Sequence, residues 1–417
     1  MLFGQAGAAL ATMLSYMFIA SALGAEAFGK WAAIQAVVLV LIQFFTFNTG
    51  KAFIHYAERL KQTDYADYFQ HKLARLCFLL DLTSSLLACL SAYFLIPYLP
   101  HWLEIKAEEV FYAQLYALTA IGTLSHLPIA ILQFYQKFSK VAWFIALNSG
   151  LRLISLVVCF FLLPKEDHFS GFLLVWAVFE VFIPIIFLIS ASHFIPKHKK
   201  YLSYSVLEKC PNFFGFIIKT SLNAFVRLFP KDGDILLTGL LLGPAAAGIL
   251  RIIKQLSSIV MRIIDPFTQA FFPEINKLVV QKQLNDLRKL NRTTLKYCII
   301  ISLFFWLGFT IFGYPILLLI GEDYTQSYIA LVIFTAGASV MTLSAPLSPL
   351  GLALGIPGKL LINQTIAVLA YILSIFWLHS LLQLNGISIS YLIFSITWTS
   401  LMFFTVFKKL SLWSPSQ

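Results

Sequence analysis

Residues 242–265, LGPAAAGILRIIKQLSSIVMRIID, combine an apolar run long enough to cross a bilayer with two arginines, one lysine and one aspartate. At 100° per residue, Arg251, Lys254, Ser258, Arg262 and Asp265 fall on one helical face about 80° wide. Lys254 lies near the middle of this run, within about 6 Å of its centre at 1.5 Å per residue. Facing lipid there would cost at least about 3 kcal/mol. The stripe therefore predicts a helix with one face turned to water or to other charged groups inside a membrane protein.

The rest of the chain supports a membrane setting. Of its 417 residues, 59% are hydrophobic and 12% charged, and the mean hydropathy is strongly positive, a composition unusual for soluble domains. Runs of about 20 apolar residues, the length that spans a hydrocarbon core, recur at 3–23, 31–50, 76–99, 111–134, 141–163, 169–191, 213–242, 244–272, 295–319, 328–350, 359–382 and 386–407. The expected architecture is an all-α integral membrane protein of twelve transmembrane helices. The N-terminal run lacks a basic residue before Lys30 and reads as a retained helix rather than a signal peptide.

Charge sets the orientation. With the N-terminus cytoplasmic, the cytoplasmic segments carry 20 basic residues and the opposite side carries Lys30, Lys106 and Lys165, so both termini are expected inside. The remaining seven basic residues lie within spans: Arg152, Lys219, Arg227, Lys231, Arg251, Lys254 and Arg262. Pro230 and Gly233 interrupt the seventh span. Reading PKDGD as an external loop would place the basic segment 273–296 outside, so one broken helix is expected instead, of the kind tolerated where backbone lines a cavity.

The motif Leu-Gly-x-x-x-x-Gly at 242–248 also occurs as LGAEAFG at 23–29, an offset of 219. The same offset carries Thr123-Leu124-Ser125 onto Thr342-Leu343-Ser344 and Lys140 onto Lys359. One offset serving three sites predicts a parallel repeat of two six-helix bundles, 1–205 and 206–417, around a central cleft. It sets Gln35 opposite Lys254 and Gln43 opposite Arg262, a less charged facing wall.

The candidate substrate-binding residues of this lumen are Arg152, Lys219, Arg227, Lys231, Arg251, Lys254, Arg262, Gln35 and Gln43. Snorkelling toward the interface is an equal alternative for Lys219 and Arg262, and fits Lys254 and Arg227 poorly. A basic cleft focuses its field on anions, and arginine with lysine suits phosphate. Asp81, Glu180, Asp232, Asp234 and Asp265 are candidates for ion coupling, with charge balance the competing role for Asp234 and Asp265. No Gly-x-x-x-x-Gly-Lys-Ser/Thr motif occurs, which speaks against ATP hydrolysis. The five cysteines and the histidines show no metal-ligand spacing. No catalytic residue, metal or cofactor is expected.

Four stretches resemble one family: ALGAEAFGKWAAIQ (22–35), DILLTGLLLGPAAAG (234–248), FFPEINKL (271–278) and LIGEDY (319–324). They are similar to bacterial polysaccharide exporters, in particular O-antigen flippases of the multidrug, oligosaccharidyl-lipid and polysaccharide exporter superfamily. The resemblance implies a non-enzymatic flippase of the inner membrane. It would move undecaprenyl-diphosphate-linked oligosaccharide to the periplasmic leaflet, with a cationic lumen and ion-gradient coupling. It also implies work beside membrane lipid, a polysaccharide polymerase and chain-length proteins in lipopolysaccharide assembly, without nucleic acid. Two alternatives stay open, a multidrug exporter of the same superfamily and a membrane enzyme or assembly factor of polysaccharide synthesis.

Overall fold

The structure, a computed structural model, describes residues 2–61, 65–99, 106–195, 206–281 and 283–411. Side chains at 2, 3, 5, 265–274, 276, 277, 280 and 284 lie outside that description. Every regular element among the described residues is helical, as a chain whose backbone groups must be satisfied in lipid requires. The all-α membrane architecture expected from the sequence is the one found.

Two helical stretches are far longer than one crossing. Ala6–Leu60 and Pro357–Ser411 each hold 55 residues, more than twice the ~20 that one crossing takes. Each contains a break in its helical backbone. Leu2–Phe45 breaks at Gly24, φ 77°, between the first two expected spans. Pro357–Ser411 breaks at Gln383, φ 49°. There the chain doubles back, since a Cβ on Gly386 would sit 2.3 Å from the Leu378 carbonyl oxygen, a distance impossible eight residues along a straight helix.

Helical segments also extend into regions expected as loops. The second span stops at Phe45, where Thr46 donates to the Ile42 carbonyl (2.6 Å) and Asn48 takes left-handed backbone, φ 45°; asparagine tolerates that region. A separate amphipathic helix, Thr49–Leu60, follows. The helices Pro244–Val280 and Leu284–Ile320 absorb most of 273–296. Hydropathy marks where apolar residues end, and a helix rich in lysine, arginine and leucine continues beyond that point into the interface.

Phe213–Leu228 and Asp234–Leu242 are joined by a π-helical turn, Phe229–Gly233. PKDGD is therefore a widened turn within helix, as the broken-helix reading expects, and π turns often mark functional sites. The stretch Ala107–Phe134 contains a 3₁₀ segment, Ala117–Ser125.

The chain forms two compact units, Met1–Ser15 with Lys30–Leu236, and Tyr16–Gly29 with Leu237–Gln417. In the first, the helices Thr49–Leu60, Ala66–Leu95, His126–Phe134 and His168–Ser192 contribute to an apolar core that includes Phe53, Leu73, Leu132 and Phe187. In the second, Tyr328–Thr342 packs on Pro357–Ser411, with the Phe334 and Tyr391 rings stacked at 3.9 Å. Polar pairs join its helices, Ser257 with Thr335 (3.0 Å) and Ser302 with Thr342, the small-residue and hydroxyl packing common between membrane helices.

The 219-residue offset has a structural counterpart. Gly24 and Gly243 both have positive φ, 77° and 89°, where glycine carries no Cβ penalty. The second glycines of the two motifs meet inside the second unit: a Cβ on Gly29 would lie 1.8 Å from the Pro244 carbonyl oxygen, and one on Gly248 2.8 Å from the Gly29 nitrogen. Thr123 and Ser125 donate to the carbonyls of Ala120 and Gly122 (2.9 and 2.7 Å). Thr342 and Ser344 make the same bonds three residues back, to Ser339 and Met341 (2.6 and 2.7 Å).

Candidate functional site

In the first unit, three helical elements bring cations together, and a fourth adds a histidine. Lys51 lies in the first turn of Thr49–Leu60 and interacts electrostatically with Arg227, from the end of Phe213–Leu228. His126, at the start of His126–Phe134, feels both Lys231 and Lys51. Lys51, His126, Lys219, Arg227 and Lys231 all expose their side chains, whereas Asp232 and Asp234, on the same π turn and helix, are 4% and 0% exposed. The turn thus shows its cations and buries its carboxylates. Asn48 Nδ2 donates to the Thr220 carbonyl (3.4 Å) and Tyr56 Oη to the Pro211 carbonyl (2.8 Å), which ties the Lys51 helix to the segment carrying Arg227.

Asp81 adjoins these elements. Its carboxylate is 2% exposed and accepts the Thr49 hydroxyl at 2.5 Å. Thr49 is two residues before Lys51, and the Leu127 backbone next to His126 adjoins the same carboxylate. A buried carboxylate on Ala66–Leu95 is thus bonded to the helices that carry Lys51 and His126.

Arg152 and Glu180 lie elsewhere in this unit and form a pair. Arg152 Nη1 donates to Glu180 Oε1 (2.9 Å) and Nη2 to Thr12 Oγ1 (3.1 Å), and the guanidinium covers the Trp176 ring at 3.8 Å. Trp176 in turn meets Trp31 edge-on at 5.1 Å. Arg152 is 4% exposed; both Nη groups are bonded within the fold, and its buried Nε has no hydrogen-bond partner among the described residues. Gln35 is likewise buried and donates to Tyr116 Oη at 3.0 Å, while Gln43 is half-buried.

In the second unit the charged stripe of 251–265 is helical throughout. Arg251 donates to Tyr16 Oη at 2.5 Å and stacks over that ring at 4.7 Å. Lys254 and Arg262 are half-buried. The Asp265 side chain lies outside the described residues.

The sequence thus supplied Lys219, Arg227, Lys231 and Asp81, and missed Lys51, His126, Thr49 and Tyr16. By sequence Lys51 counts as a cytoplasmic loop charge and His126 as an interfacial residue; Gly50, whose Cβ would meet the His126 carbonyl at 2.8 Å, is the available sign of a close crossing at that point. Among the described residues no group of histidine, cysteine and carboxylate side chains could hold a metal ion.

Residues 18–329 match the family described as "Polysaccharide biosynthesis protein". No curated protein matches the chain by sequence. Among solved structures, the fold is similar to an inward-facing multidrug resistance MATE family transporter of the MOP superfamily, at TM-score 0.75 and 15% identity, covering 97% of this chain and 95% of that one. It is also similar to the lipid II flippase MurJ in an inward closed conformation, at TM-score 0.69 and 16% identity, covering 98% and 87%. The Vibrio cholerae MATE transporter VcmN in its bent form gives TM-score 0.66 at 16% identity, covering 99% and 96%. At these identities the likeness establishes a transporter fold.

Proposed function

We propose that this chain, which belongs to the polysaccharide biosynthesis protein family, is a flippase. Its substrate is undecaprenyl-diphosphate-linked oligosaccharide, an O-antigen or related repeat unit, moved from the cytoplasmic to the periplasmic leaflet of the bacterial inner membrane. The observation that carries this reading is the exposed cluster of Lys51, Arg227 and Lys231, with His126 beside it, in the first unit. Lysine and arginine side chains give a dianionic ligand charge-assisted hydrogen bonds.

In this reading the diphosphate meets Arg227, Lys231 and Lys51, with Lys219 nearby. Arg251, Lys254 and Arg262 serve the same transport from the second unit. Arg152 braces its own unit through Glu180. The chain crosses the membrane twelve times in bundles 1–205 and 206–417 about a central cleft, with both termini cytoplasmic, and performs no covalent chemistry. Asp81, Asp232 and Asp234 are the coupling candidates beside the cluster.

The competing reading is a multidrug exporter, supported by the likeness to MATE transporters. Organic cations would meet charges of their own sign at Lys51, Arg227 and Lys231, which favours the anionic substrate. The test is Lys51→Ala with Arg227→Ala in a strain lacking the native protein. Surface polysaccharide should fall at least about tenfold, the effect of removing one to two charge-assisted hydrogen bonds, with membrane levels of the protein unchanged. Unaltered polysaccharide together with altered drug sensitivity would reverse the assignment.

A further inference from the structure

The first unit holds a cavity whose lining includes Leu127 and Pro128, next to His126, but none of Lys51, Arg227 and Lys231. Its volume is about 400 Å³, and His71, Ala74, Arg75, Phe78, Ile131 and Ile195 are among its lining residues. At about 30 Å³ per water-sized group, it has room for roughly a dozen such groups, enough for one acyl chain. The walls come from three helices: His71, Arg75 and Phe78 in Ala66–Leu95, Leu127, Pro128 and Ile131 along His126–Phe134, and Leu188, Ala191 and Ile195 at the end of His168–Ser192 or just beyond it.

The walls are apolar and the mouth is basic. His71 and Arg75, one turn apart, supply its polar lining and are exposed. Phe194, adjacent to Ile195, has Lys137 and Lys140 over its ring at 5.8 and 5.5 Å, and Tyr135 packs beside it. Two carboxylates adjoin this side: Asp67, which acts on Tyr135, and Asp81, bonded to the backbone of the lining residue Leu127. Arg75 and His71 therefore line a slot of acyl-chain size, with Lys137 and Lys140 close by over Phe194.

We propose that this cavity is a binding site for an anionic phospholipid of the surrounding leaflet, one acyl chain in the slot and the phosphate among Arg75, His71 and Lys140. None of its lining residues belongs to the cation cluster. The site binds a resident lipid that stabilises the first unit, and transported substrate does not pass through it. A zwitterionic headgroup brings its own cation to the same mouth and is the weaker ligand.

The test uses the purified full-length protein in detergent, titrated with phosphatidylglycerol, phosphatidylcholine or undecaprenyl phosphate and read by native mass spectrometry and by melting temperature. Phosphatidylglycerol should bind roughly tenfold tighter than phosphatidylcholine, a difference of one charge-assisted hydrogen bond, and should raise the melting temperature more. Arg75→Ala with Lys140→Ala should bring the two lipids within twofold while leaving the lipid-free melting temperature unchanged. Ala74→Trp, which fills the slot, should abolish binding of both; if it unfolds the protein, the charge variant decides alone. Equal binding of the two phospholipids, or no effect of the charge variant, overturns the proposal. So does undecaprenyl phosphate displacing phosphatidylglycerol at equal concentration, because the slot would then serve the polyprenyl chain.

Discussion

Gly29→Ala asks whether the internal repeat is a packing device. A Cβ at this position lies 1.8 Å from the Pro244 oxygen and 2.4 Å from its carbon, and real Cβ atoms essentially never approach closer than 3.0 Å. Because the opposing atoms are backbone, no side chain can turn away, and the crossing must open by at least the difference, about 1.2 Å. A radial gap of 0.5–1 Å forfeits a quarter to a half of each dispersion interaction, and overpacking of this kind costs about 1–3 kcal/mol. Gly150 is the internal control: it lies in the helix Phe138–Leu162, and nothing stands within 4 Å of its Cβ position. The same substitution there replaces helical glycine with alanine, a gain of up to about 1 kcal/mol. Melting of the purified protein in lipid–detergent micelles, followed by near-ultraviolet circular dichroism, should show Gly29→Ala melting several degrees lower and Gly150→Ala unchanged or higher. If Gly29→Ala melts with the unmodified protein, or both variants move together, the close crossing is not present and the repeat has no structural meaning.

Other perturbations address single interactions. Glu180→Ala strands the buried Arg152 guanidinium and should cost about 3 kcal/mol, whereas the double variant Arg152→Met with Glu180→Leu should recover most of it in the same melting assay; abolished transport with unchanged stability would instead make Arg152 a substrate ligand. In a variant retaining only Cys210, burial pushes the thiol up to about 11 against the opposing pull of Arg59. The neutral thiol then persists from neutral pH upward, and at pH 8 roughly one part in a thousand is thiolate. Maleimide labelling at pH 8 should therefore be far slower in folded than in unfolded protein, and equal rates would contradict the burial. Lys254→Ala should abolish surface polysaccharide without loss of protein from the membrane, and Asp81→Asn should remove the dependence of transport on an ion gradient while substrate binding survives, which a binding assay on the same membranes can separate.

What the sequence carried and what it could not both have physical reasons. Gly24, Gly29, Gly243 and Gly248 can be matched by eye because left-handed backbone and backbone-to-backbone packing both demand glycine, so the constraint is written in residue identity. The all-α membrane fold follows from apolar run lengths, and the single broken helix around Pro230 from charge bias, because lipid imposes both rules directly. Helix ends are hidden: Thr49–Leu60 and the early start of Leu284–Ile320 consist of polar helix formers that hydropathy cannot separate from loop. The cation cluster is half legible. Arg227 and Lys231 stand out as charges inside a span, whereas Lys51 and His126 are ordinary interfacial residues until the crossing at Gly50 brings their helices together. Arg152 and Glu180, 28 residues apart on different helices, give no sign of pairing in the sequence, where each can be read only by its charge.

The central claim is that a basic surface built around Arg227 handles a diphosphate-linked sugar. The direct measurement is leaflet exchange of fluorescent undecaprenyl-diphosphate-linked oligosaccharide in proteoliposomes containing only this protein, with and without an imposed proton or sodium gradient. Gradient-stimulated exchange that falls at least about tenfold in Arg227→Ala, the effect of removing one charge-assisted hydrogen bond to phosphate, is the predicted result. Absence of exchange by the folded protein, or exchange indifferent to Arg227, would contradict it.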